Sequence, residues 1–167
     1  PRIQELATNS LLLTLLCLVF EDSGDFPSNR AELYQNGVDV LLKKWDVKRN
    51  IERDRVYKGL SLKRKEALLG QIARKTFEAG NYFFKQREAE RYISEYIQNL
   101  PDASTDPEAL EVDSADVLRS IEAHHGLFVE RARGIYSFSH LTFHEYFTAQ
   151  EFANNSDPQN VEQALQT

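Results

Sequence analysis

The chain has 167 residues, is 41% hydrophobic and 28% charged, and carries 20 Lys+Arg against 26 Asp+Glu for a net charge of -6. This is globular composition with room for one domain or two small lobes, and with only 7 Gly and 5 Pro it excludes disordered and turn-rich all-β chains. The acidic balance argues against general steering to nucleic-acid phosphates, and the lone Cys17 cannot form an internal disulfide, so a reducing, cytoplasmic setting is expected. The chain begins at Pro1 and holds no methionine, and is read as a piece of a longer protein.

Residues 3–7 form a short amphipathic piece. Thr8, Asn9 and Ser10 offer N-caps for a helix to about Glu21 that covers the apolar run LLLTLLCLVF. That run is too short for a membrane span, which needs about 20 apolar residues, so no membrane partner is expected and the helix is predicted to be buried on most sides. After the turn at DSGDFP, Ser28 or Asn29 caps a second helix to about Arg49, whose stripe is Tyr34, Val38, Leu41, Leu42 and Trp45. The charged stretch 50–59 is read as a connector.

Ser61 opens a third helix, to about Ala79, with Leu68, Leu69, Ile72, Ala73 and Phe77 inward and Gly80 as the stop. A fourth runs from Gln86 to Leu100, with Tyr92, Ile93, Tyr96, Ile97 and Leu100 on one face. PDASTDPEALEVD (101–113) is predicted to be a loop, with Asp113 or Ser114 capping a helix from Ala115 to His125 that Gly126 ends. The period then shortens to two. LFVERA (127–132) and IYSFSH (135–140) are predicted to be strands joined at Arg133-Gly134, with Leu127, Val129, Phe138 and His140 on one face. Thr142 and Glu145 have the spacing of a capping box and start the last helix, to about Asn154.

Three helices, a hairpin and a helix form a winged-helix pattern. The predicted fold is mainly α: a small helical lobe at 1–50, then a winged-helix-like domain at 55–154 with one β-hairpin, then a polar tail or the start of a further helical domain at 155–167.

The residues offer little chemistry of their own. The glycines, at 24, 37, 59, 70, 80, 126 and 134, never open G-x-x-x-x-G-K-[ST], so no phosphate cradle is encoded and no enzyme activity is expected of the chain alone. His140 and His144 have the spacing of a zinc pair on a helix, but no third ligand is marked and no metal is expected. His124-His125, at a helix end, suit the dipole. A winged helix raises DNA binding, yet the third helix of the pattern sets Asp116 and Glu122 against Arg119 alone, so nucleic acid is not the favoured partner. His140 has two readings: a core histidine bonded to a carbonyl, or, just before a helix N-terminus, a donor to an anionic ligand.

FSHLTFHEYFTA (138–149) resembles the end of the winged-helix domain in NACHT-type STAND ATPases, which include the animal NOD-like receptors and many bacterial proteins. NSLLLTLLC (9–17) is similar to that family's first helical domain, and ELYQNGVDVLLKKWD (32–46) and HHGLFVERARGIYSFSH (124–140) also match bacterial members. The resemblance runs from residue 3 to about 153. It implies an upstream P-loop core that binds ADP or ATP with Mg²⁺, and a regulatory, nucleotide-sensing and oligomerising role for this segment in signalling, including defence against phage. In the family the winged-helix histidine donates to the β-phosphate of ADP and holds the inactive state, and His140 matches it. Ser10 replaces the family's adenine-side proline, and His144 stands where glutamine is usual, which makes the histidine pair incidental. The alternatives are a DNA-binding module and a plain interaction scaffold.

Overall fold

The computed structural model describes residues 9–47, 60–100, 107–122 and 126–155. The piece at 3–7, the connector at 50–59, His124-His125 and the tail from 156 fall outside them. The chain divides into two compact units, Pro1–Asn50 and Ile51–Thr167.

In the first unit, α1 (Ser10–Ser23) packs on α2 (Arg30–Val47). Asn9 is the N-cap of α1: its Oδ1 accepts from Leu12 N at 2.9 Å, and Gly24 at φ 75° closes the far end. At the start of α2 the Glu32 amide donates to Asn29 Oδ1, while the Glu32 carboxylate accepts from Ser28 N. Leu12, Leu15, Leu16 and Val19 bury against Leu33, Val38, Val40 and Leu42. The helices approach closely at Gly37, where a Cβ would lie 2.8 Å from Leu15 Cδ2. Two expectations change here. Leu13, Cys17 and Phe20 are exposed, because helical spacing puts them on one face away from Leu12 and Leu16. On α2, Leu33 is buried where Tyr34 was expected, and Leu41 is only half-buried.

The second unit runs α3 (Leu62–Glu78), β1 (Phe84–Lys85), α4 (Gln86–Gln98), α5 (Pro107–Ser120), β2 (Phe128–Ala132), β3 (Ile135–Phe138) and α6 (Leu141–Asn154). Ser61 caps α3 as predicted, and Gly80 at φ 66° follows its end, with Asn81 N donating back to Thr76 O. Leu68, Leu69, Ile72 and Ala73 are fully buried, whereas Phe77 is exposed. The long α3 lies along α6, and α4 along α5. Gly70 permits the first contact: a Cβ there would sit 2.9 Å from Glu151 Oε2.

Helix α5 begins six residues earlier than Asp113, within the predicted loop. Proline suits a first helical turn because its missing N–H has no partner to lose there. From Pro107 onward Leu110, Ser114, Val117, Leu118 and Ile121 form one buried stripe, so Asp113 and Ser114 are helix-interior residues and not caps.

The sheet is antiparallel in the order β1-β3-β2. Strand β1 was not predicted; it pairs Phe84 with Tyr136 and Lys85 with Ile135. The hairpin turn does fall at Arg133-Gly134, with Gly134 at φ 71°. Its register is one residue from the expected one: Phe128 faces Phe138, and a bulge lies between Glu130 and Ala132. A one-residue slip exchanges the two faces of a strand. Phe128 therefore shares the core face with Phe138, their rings 4.8 Å apart and perpendicular, and Phe84 adds its ring to Phe128 from β1. Three helices, a small sheet and a closing helix make a winged-helix fold.

Candidate functional site

The junction between β3 and α6 carries the two histidines, and the fold gives them opposite surroundings. Helix α6 starts at Leu141, not at Thr142, and its N-cap is His140. The imidazole replaces the predicted threonine cap: Nδ1 accepts from Thr142 N at 3.3 Å and lies 3.0 Å from the Thr142 hydroxyl. An N–H can only donate, so Nδ1 is an acceptor and the proton of the neutral ring sits on Nε2. His140 is exposed, and among the described residues its Nε2 makes no hydrogen bond. It is thus an exposed N–H donor at a helix N-terminus, where the helix dipole favours an anion.

The reading of a core histidine bonded to a carbonyl fits His144 instead. It is buried, with Nε2 2.9 Å from Ala73 O and 2.9 Å from Thr76 Oγ1. The Thr76 hydroxyl donates to Ile72 O, so both groups accept from the Nε2–H. The ring stacks on Phe138 and meets Tyr82 and Phe77 edge-on. Burial pushes its pKa below the usual histidine value, against smaller upward pulls from the Ala73 carbonyl and Glu145. Its place on α6 is therefore not incidental: it ties α6 to α3. The two rings are held through different nitrogens, Nε2 of His144 at the Ala73 carbonyl and Nδ1 of His140 at the Thr142 amide. Among the described residues no group of three or more His, Cys, Asp and Glu is placed to hold a metal ion.

A feature the periodicity did not reveal is Arg131, at the bulge of β2. Its Nε donates to Ser137 Oγ at 2.9 Å, and its Nη2 donates to Ser139 O at 2.9 Å and Phe138 O at 3.4 Å. One guanidinium thus clamps the three residues that lead into His140. The bulge is what turns this side chain toward them, and no sequence signal marks it.

Ser10 opens α1 in the first unit, exposed, with its carbonyl accepting from Thr14 Oγ1. It and His140 lie in different units. The third helix of the winged-helix pattern, α5, is electrostatically poor for nucleic acid. Arg119 pairs with Asp116, and burial together with Asp116 raises the Asp113 pKa. No helix among the described residues is long and apolar enough to cross a membrane.

Comparison with the curated proteins and with the solved structures gave no match. A protein family does match, over residues 30–152, which cover α2 of the first unit and every element of the second into the last turn of α6. The family is described as the winged helix-turn-helix domain C-terminal to NACHT, and the helices and small antiparallel sheet of the second unit are consistent with a winged-helix domain. Since the match takes in well over half of the chain, the protein belongs to the family of winged helix-turn-helix domains that stand C-terminal to NACHT.

Proposed function

We propose that this chain is the regulatory segment of a NACHT signalling ATPase, coupling the ADP or ATP state of an upstream P-loop core to opening and self-assembly. The observation that carries the reading is the state of His140: Nδ1 is used as the helix cap, which leaves Nε2–H as a fixed, exposed donor beside the α6 N-terminus. That is the group a terminal phosphate of ADP would accept from, and a family described as C-terminal to NACHT supports a NACHT neighbour that would bind the nucleotide. The phosphate cradle and Mg²⁺ site would belong to that neighbour, and no catalytic role falls to this chain. Ser10, in place of proline, would stand on the adenine side. A cytoplasmic setting and a role in defence against phage belong to the same reading.

A donor that binds one nucleotide state better than another shifts a two-state equilibrium by its differential affinity. A hydrogen bond to a charged oxygen contributes about 1.5–3 kcal/mol, so losing it should weaken ADP about 10- to 100-fold. The test is ADP affinity and self-assembly of the full-length protein with His140→Ala. Unchanged affinity together with unchanged assembly would leave only a packing scaffold. No charge pattern on α5 favours the DNA-binding alternative, and lack of a duplex-dependent shift at low salt would remove it.

A further inference from the structure

Beside the β3–α6 junction the second unit holds a cavity of about 350 Å³, a size in the range of ligand sites. It is lined by Tyr82 and Phe83 from the segment before β1, Phe138 from β3, Leu141 and His144 from α6, and Arg131 from the wing. Three observations bear on its occupant. First, the lining is flat and aromatic: His144 and Phe138 stack at 12° with centroids 4.9 Å apart, and Tyr82 stands edge-on to His144. Second, Arg131 is oriented by neutral acceptors only, and among the described residues no carboxylate pairs with it. Its charge is thus held in place by neutral groups, in a chain of net charge -6. Third, the apolar surface continues past the cavity. Phe83 is 65% exposed, Leu141 54%, Tyr82 44% and Phe77 41%, and Phe77 is in edge contact with Tyr82.

We propose that this cavity docks a peptide segment that inserts one aromatic side chain and sets an adjacent carboxylate on Arg131. Aromatic insertion uses the stacked floor, and a carboxylate can accept from Nη1, the nitrogen of the fixed guanidinium that Ser137, Phe138 and Ser139 do not use. A free aromatic acid would fill the cavity but leave Phe77 and the outer faces of Phe83 and Leu141 in water. A chain segment covers them, which is why the observations favour a peptide over a small molecule.

The test uses the 167-residue chain and a labelled hexapeptide, Gly-Ser-Trp-Glu-Ser-Gly, followed by fluorescence anisotropy. Saturable binding is expected, weakened about tenfold or more by Phe83→Ser, by Arg131→Gln, and by Trp→Ala or Glu→Gln in the peptide. Phe83 is mostly exposed, so Phe83→Ser should leave the thermal melt unchanged and serves as the clean variant if Arg131→Gln loosens the junction. N-acetyltryptophan should bind at least about tenfold more weakly than the peptide. The proposal is overturned by no saturable binding up to about 1 mM peptide, by wild-type binding in Phe83→Ser, or by N-acetyltryptophan binding as tightly as the peptide, which would make this a small-molecule site.

Discussion

His144 lies flat on Phe138, ring centroids 4.9 Å apart, while its Nε2 reaches across to the Ala73 carbonyl of α3 at 2.9 Å. One imidazole thus joins the last strand, the first helix of the winged-helix unit and the last helix. The arrangement suits only the neutral ring. Charging it would place a cation among Phe138, Tyr82 and Phe77, where the Ala73 carbonyl, the Thr76 hydroxyl and the charge of Glu145 do not make up for the lost hydration. The folded pKa therefore lies below the ordinary value of 6.5. The sign follows from linkage: between the two values the unfolded chain binds the extra proton, so stability rises with pH there. Stability should be flat in His144 above pH 6.5 and fall as the pH drops below it, until the folded value is passed. Urea midpoints measured from neutral pH down to about pH 5 check this. A midpoint that does not move, or that moves equally in a variant without His144, would contradict it.

Substitutions at His144 separate its packing from its titration. His144→Ala removes a buried ring and leaves Ala73 O and Thr76 Oγ1 without the donor, so a loss of about 2–4 kcal/mol is expected. His144→Gln keeps an N–H donor of similar reach and cannot titrate, so it should retain most of the stability and lose the acid slope. Equal destabilisation by Ala and Gln would mean that the Ala73 bond is unimportant.

Tyr136 sets the opposite edge of the stability range. It is buried on β3, its hydroxyl donates to Glu122, and burial followed by the charges of Glu122 and Glu130 pushes its pKa up to about 12. The folded state holds this proton longer than the unfolded chain does, so stability should fall as the pH rises from about 10 toward about 12. Tyr136→Phe should flatten that alkaline decline, as read from melting temperatures across the interval.

Gly70 is a mid-helix glycine whose replacement by alanine would normally help by about 1 kcal/mol. Here the new Cβ would meet Glu151 at 2.9 Å from Oε2 and 3.3 Å from Cβ. Glu151 is buried and its other oxygen accepts from Asn155, so it cannot simply swing into water. Overpacking of about 1–3 kcal/mol outweighs the propensity gain, and Gly70→Ala should be neutral to destabilising by about 2 kcal/mol. A clear gain in melting temperature would show that α3 and α6 separate more easily than their contact implies.

Much of the winged-helix order was legible because the strongest signals are periodic and local. Ser61 and Gly80 bracket α3 through a cap and a positive φ, and Arg133-Gly134 places the hairpin turn without any knowledge of the rest of the chain. The losses come where a distant partner decides. Strand β1 has only Phe84 and Lys85, too short for any alternation, and exists because Tyr136 and Ile135 offer it an edge. The hairpin register turned on the bulge beside Arg131, which no residue pattern announces, and with it went the clamp on Ser137 to Ser139. The start of α5 was hidden by a proline read as a loop residue when it stood at a first helical position. At the site, the sequence and the family resemblance singled out His140 but not how it is held. The difference between its exposed cap and the buried ring of His144 is a difference in which turn of α6 faces α3, and four residues of spacing do not reveal that.

His140 has two roles that one substitution can separate. Nδ1 caps α6, and Nε2–H is the donor proposed for phosphate. His140→Ala removes both, and should lower the stability of the chain by about 1 kcal/mol as well as weaken ADP in the full-length protein. His140→Asn keeps a side-chain acceptor of proven capping ability but carries no imidazole, and its shorter amide does not reach where Nε2 does. The isolated chain should therefore melt near the wild-type temperature with Asn and lower with Ala, while both variants of the full-length protein should lose ADP about 10- to 100-fold and assemble more readily. Thermal melts of the chain and equilibrium ADP binding to the full-length protein read the two roles independently. Should Asn restore ADP affinity along with stability, the histidine acts by shaping the α6 N-terminus, and the phosphate is held by the helix amides alone.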